Sequence, residues 1–185
     1  MRRHIARSVA ALGFLVAAAA MPHAAIASCL PGTTPAYDDI SDVAVAQYEF
    51  PVARWPIYAF TATYYPAGAS RPEHADARLD AKRNVPKQGK FTAGDPLRAF
   101  RTSVDILRSA DFFRMRLTPV SARYIDGPTD SIAVVACGIE WSLGNLQQGS
   151  EFDLQDDNGR RFQKLEDDLR EAIFAFNWLP ITPGA

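Results

Sequence analysis

At 185 residues and 48% hydrophobic content, the chain is long enough for one domain and too apolar for a disordered or collagen-like polymer. Its 20 basic residues balance 21 acidic ones, which argues against a nucleic-acid partner. Two cysteines exclude a disulfide-dense mini-protein and a four-cysteine zinc site.

Residues 1–27 have the layout of a bacterial secretory signal. Arg2, Arg3 and Arg7 are basic, Ser8 to Met21 is apolar, Pro22 breaks the run, and Ala25-Ile26-Ala27 offers a small-x-small cleavage site. The apolar run is too short to span a bilayer, which takes about 20 residues, and no second run of that length follows. The mature chain is therefore expected in the periplasm or cell envelope, without a transmembrane segment. Without residues 1–27 the chain has a net charge of −4 and one histidine, His74. Ile26-Ala27-Ser28-Cys29 also fits a lipoprotein box, in which Cys29 would be acylated and anchor the protein, for instance to the outer membrane. With simple cleavage after Ala27, Cys29 and Cys137 are two thiols in an oxidising compartment and would form a disulfide. Both readings stay open on the sequence.

Residues 28–42 are rich in Pro, Gly, Thr and Asp and predict an extended tether to a single domain over 43–180. Val43 to Phe50 is a candidate strand. Ile57 to Tyr65 is a clearer one, with Tyr58, Phe60, Ala62 and Tyr64 on one face. Pro66 to Ser70 is a turn. Residues 71–94, with Lys82, Arg83, Lys87 and Lys90, predict one strand near Ala75–Lys82 and then a solvated loop. Asp95-Pro96 opens a helix, since the carboxylate caps free N–H groups and proline suits the first turn. Leu97, Phe100, Val104 and Leu107 are its buried stripe.

Phe113, Met115 and Leu117 alternate with polar residues and predict a half-buried strand, followed by a loop from Pro119 to Asp130. Ser131 to Cys137 reads as a central strand covered on both faces. Ile139, Trp141 and Leu143 alternate with Glu140 and Ser142, giving a strand directly or after a bulge at Gly138. Glu151–Leu154 is a further short strand. A last helix runs from Asn158 or Gly159 to Phe176, with Phe162, Leu165, Leu169 and Ile173 inward and a Glu166–Arg170 pair outward. Trp178-Leu179-Pro180 ends it. Strands joined by short linkers and two helices predict an α+β fold, an antiparallel sheet of about four to six strands with both helices on one face.

Several of these residues carry a resemblance. Pro56 and Tyr58 opening a strand, Gly68 in a turn, Asp111-Phe112-Phe113 at a helix end, an Asp126-Gly127-Pro128 loop, Leu165 and the final Trp178 resemble a bacterial family of exported domains of unknown function, over roughly 43–178. Members often carry a Cys-x-Gly-x-Cys-Pro motif. Here Pro51, Ala53 and Trp55 stand at its cysteine, glycine and cysteine positions, so any role of that pair is lost. The resemblance implies an exported α+β fold and no activity.

The chemistry the chain can run is narrow. A nucleophile with a histidine base must use His74, which sits in the charged stretch Arg71-Pro72-Glu73-His74 with no Gly-x-Ser-x-Gly elbow. Histidine and cysteine are too sparse for a transition-metal site. An EF-hand loop with Gly159 at its sixth position would put Leu154 and Leu165 at its first and twelfth positions, so no metal or cofactor is expected. The reading is a non-enzymatic binding protein for an unknown envelope protein or ligand. Its candidate contacts are Arg54, Trp55 and Tyr58 around the Pro56 connection, and Asp126 and Trp141. The alternative is a glycosidase-like hydrolase using Asp126, Asp130 or Glu140. An exposed sheet edge that takes up a peptide is a further way to bind.

Overall fold

The computed structural model describes residues 29, 33–49, 56–82, 85–117, 119–120, 128–144, 151–152 and 156–182. In chain order, β1 is Ile40–Glu49, β2 Pro56–Tyr65, β3 His74–Ala81, β4 Gly89–Ala93 and α1 Pro96–Ser109. Then come β5 Pro119–Val120, β6 Pro128–Ala136, β7 Ile139–Gly144, β8 Glu151–Phe152, α2 Asp157–Ala175 and β9 Trp178–Pro180. One antiparallel sheet of seven strands runs β7-β6-β1-β2-β3-β4-β9, and β5 pairs with β8 apart from it. The α+β class is as expected, with one strand more than the upper figure.

Strand alternation sorts the sheet into two faces. Register places Val43 opposite Ala62 and Val134, and Val45 opposite Phe60 and Ile132. Phe60 faces Leu79 and Tyr58 faces Ala81. All of these side chains are buried beneath the two helices. In α1 the buried residues are Phe100, Val104 and Leu107, joined by Ala99 and Ser103; α2 buries Phe162, Leu165, Leu169 and Ile173. Tyr58 meets Phe174 at 5.2 Å between ring centroids, and Phe60 lies 6.1 Å from Trp178.

Both helix starts follow from their caps. The Asp95 carboxylate accepts the Arg98 N–H at 3.0 Å, and Asp156 accepts the Gly159 N–H at 2.6 Å. Asp95→Ala is expected to cost about 1 kcal/mol. A melting temperature unchanged by that substitution would contradict the cap's role.

The structure departs from the sequence expectations in several places. The loop expected from Pro119 to Asp130 contains β5 at Pro119–Val120 and the start of β6 at Pro128. The charged stretch after β3 contains β4, where Lys90 lies opposite Asp80 and Phe91 opposite Leu79. Trp178 to Pro180 is no mere helix end but β9, paired with Phe91 to Ala93. The expected strand over Phe113 to Leu117 begins as a single 3-10 turn, Phe112–Arg114. Asp111 before it is left-handed (φ 56°, ψ 40°), so two adjacent phenylalanines both turn inward instead of alternating. On β6, Ile132, Val134 and Ala136 are buried while Ser131, Ala133 and Val135 are half-buried, so only one face is covered by the helices. Finally, the expected tether 28–42 is packed from Thr33 onward. Pro35 is buried, its carbonyl accepts from Arg108 at 3.0 Å, and β1 starts at Ile40.

Cys29 and Cys137 are disulfide-bonded across 108 positions of sequence. Cys137 and Gly138 form the two-residue turn between β6 and β7, both with positive φ (49° and 72°), in the manner of a type I′ hairpin. Gly138 is thus a turn residue and not a bulge. The Cys137 N–H donates to the Asp39 carbonyl at 2.9 Å, so the bond fastens the N-terminal segment to this hairpin tip.

Candidate functional site

Among the residues that the sequence singled out, Tyr58 is 1% exposed on the helix-covered face of β2 and is a core residue. Arg54, Trp55 and Asp126 lie outside the described residues. Asp130 pairs with Gln47 in the β1–β6 ladder. Glu140 is exposed on β7, which among the described residues has only β6 beside it. His74 is exposed, stacks on Tyr65 at 4.7 Å, and has Nδ1 3.3 Å from the Pro72 carbonyl. Cys29, Asp39 and Cys137 bring potential ligand atoms within 4.8 Å of one another, but the two sulfurs are joined and offer no thiolate.

Trp141 is the candidate contact that lies on an outer strand of the sheet. It is half-buried on β7, its ring edge-on to Phe113 at 5.6 Å and 85°. Register sets Trp141 opposite Val134, Ile139 opposite Ala136 and Leu143 opposite Ile132, so all three lie on the helix side of the sheet. Ile139 is 50% exposed. The two-residue turn makes Ala136–Ile139 a hydrogen-bonded pair, and in an antiparallel ladder such pairs alternate. Ile139, Trp141 and Leu143 therefore bond inward to β6, while the backbone N–H and C=O groups of Glu140 and Ser142 face outward. Among the described residues, β7 is an edge strand whose outward backbone groups have no partner, beside an apolar shelf. It has no lysine, proline or bulge, and its one charge is Glu140.

The other edge is guarded. Ile181 donates its N–H to the Lys90 carbonyl at 2.8 Å, so Pro180 belongs to the outward row of β9 and removes a donor from it.

Sequence reasoning did not find one polar cluster. Tyr64, at the inward end of β2, stacks on Phe100 (5.1 Å, 10°) and donates its hydroxyl to Glu73 Oε2 at 3.0 Å. Arg101 Nη2 donates to the other oxygen, Glu73 Oε1. Tyr37 stands edge-on to Tyr64 and Phe100, and its buried hydroxyl has no partner among the described residues. Burial pushes the Tyr37 hydroxyl up to about 12. Burial, and then the bond to Glu73, raises Tyr64. The Tyr64 hydrogen bond, with Arg101 beside it, holds the Glu73 carboxyl below the usual carboxylate range. With both oxygens occupied, Glu73 is a clasp between α1 and the sheet and not a free base. No local sequence signal marks it, since Glu73 and Arg101 sit 28 positions apart.

The sign of the Glu73 shift makes a prediction. A depressed carboxyl stabilises the fold above its unfolded value, and that stabilisation is lost as pH falls through the folded value. Glu73→Gln is therefore expected to unfold at a lower temperature than wild type near neutrality, with the difference closing in acid. A difference that stays constant through the carboxylate range would remove Glu73 from this role. Tyr37 works at the other end of the scale. Its contribution is complete below 10 and is lost as pH rises toward about 12.

A groove of about 510 Å³ runs between α1 and α2, lined in part by Ile106, Leu165, Arg161 and Lys164. Its cations are engaged. Lys164 Nζ bonds both Asp168 oxygens at 2.6 and 2.7 Å, and Arg161 donates to the Ala110 carbonyl at 2.7 Å. Among the described residues no helix is long and apolar enough to cross a membrane. Compared with protein-family models, with curated proteins and with solved structures, the chain matches none.

Proposed function

We propose that this is an exported cell-envelope protein that acts by binding, through the free edge of β7. The observation that carries the reading is that edge: outward backbone groups on Glu140 and Ser142 beside the Ile139–Trp141–Leu143 shelf. Strand addition to an edge of this kind gives affinity through main-chain bonds and specificity through alternate side chains. The Cys29–Cys137 bond supports export, since such bonds persist in oxidising compartments. It also favours cleavage after Ala27 over acylation of Cys29, because one sulfur does not hold both bonds.

N-terminal analysis of the protein released from the periplasm tests the export half and is expected to begin at Ser28. An intact Met1 in the cytoplasmic fraction defeats it. For the binding half, immobilised mature protein is expected to hold its partner, and an Ile139→Glu form to lose it while keeping its fold.

A further inference from the structure

We infer that the β7 edge is completed by β7 of a second copy of this chain, related by a two-fold axis at Trp141. This rests on the reading of β7 as a contact surface and names what occupies it. Three observations carry it, each read from the strand itself.

The first is register. In a two-fold antiparallel pair, opposite residues share a face of the sheet, so the axis must pass through a residue. An axis at Glu140 sets two carboxylates against each other. An axis at Ser142 needs Gly144 to pair with Glu140 of the other copy, but Gly144 has φ +147°, where the extended strand ends. The axis at Trp141 needs neither. Glu140 of each copy then pairs with Ser142 of the other, and these are the residues whose N–H and C=O groups already face outward.

The second is side-chain complementarity. With the axis at Trp141, Ile139 of one copy lies opposite Leu143 of the other, and the two Trp141 rings meet on the helix side. The half-exposed Ile139 gains an apolar neighbour. Glu140 is the one charged residue of β7 and faces a hydroxyl instead of its own copy.

The third is closure. A β7-to-β9 contact would repeat without end, but Pro180 takes a donor from the outward row of β9. The β7 edge meets itself and the assembly stops at two. One six-residue strand buries less than the roughly 1,200 Å² at the low end of stable interfaces, so the dimer is a reversible one.

Position 142 reads the register. It is exposed on the face away from the helices, so both of the following variants keep the monomer fold, with unchanged melting at low concentration as the check. Sedimentation equilibrium of the oxidised mature protein is expected to show a concentration-dependent dimer. Ser142→Glu sets carboxylate against carboxylate twice per dimer and is expected to weaken association by about tenfold or more. Ser142→Lys sets ammonium against Glu140 twice and is expected to strengthen it several-fold. A monomer at every concentration up to about 1 mM overturns the inference. So does a dimer that both variants shift in the same direction or leave unmoved. A persistent monomer that still loses an envelope partner on Ile139→Glu overturns the second copy while the contact-surface reading stands.

Discussion

Replacing Cys137 by serine is expected to lower the unfolding free energy by about 4–5 kcal/mol. The bond closes a loop of 108 positions, and the chain-entropy argument assigns close to 5 kcal/mol to a loop of that length. Serine has the same Cβ as cysteine, so the left-handed backbone at 137 is no more strained than before. Cys29→Ser and the double substitution are expected to match the single one, because each removes the same bond. Urea unfolding of the four proteins measures this. Single losses under about 1 kcal/mol would show that the denatured chain gains little freedom when the bond is broken.

Phe113→Ala is expected to cost about 3–5 kcal/mol, the range for emptying a fully buried aromatic site. Phe113 is 0% exposed and is held edge-on by Phe112 at 5.4 Å and by Trp141 at 5.6 Å. The tight turn that carries it leaves little freedom to collapse into the void. The same substitution removes the ring on which Trp141 rests, so it is expected to weaken self-association as well. Chemical unfolding with an unchanged slope, beside sedimentation at native conditions, separates the two effects. A cost below about 1 kcal/mol would mean that the ring is not core.

Elements whose signals are local were legible in the sequence. Asp95-Pro96 announces α1 because a cap and its first turn are adjacent in the chain. The alternation of Tyr58, Phe60, Ala62 and Tyr64 announces β2 because one face is buried and the other is not. The Cys29–Cys137 pair was legible by counting, although composition hid how firmly its N-terminal end is held. What was not legible depends on distant partners. Phe91 and Pro180 are neighbours in the sheet, yet neither short strand alternates strongly enough to announce itself. Phe113, Met115 and Leu117 have strand spacing, but the left-handed Asp111 starts a turn there. Of the site, the strand around Trp141 was readable, and its place at an edge was not, since strand order is a property of the whole sheet. The Glu73–Arg101 clasp escaped for the same reason.

The position of β1 in that order has a kinetic consequence. Its partner β6 lies about eighty to one hundred residues downstream, from Glu49 opposite Pro128 to Ile40 opposite Ala136. Synthesis delivers the chain N-terminal end first. Until β6 arrives, β1 is an unfinished edge carrying Val43 and Val45 with nothing beside it but β2. Pairings this distant in sequence are slow to form, and an apolar strand left waiting is exposed to aggregation. The chain therefore cannot complete its sheet progressively as it emerges. The β1–β6 pairing waits until nearly three quarters of the chain is present and then closes as one late, long-range step.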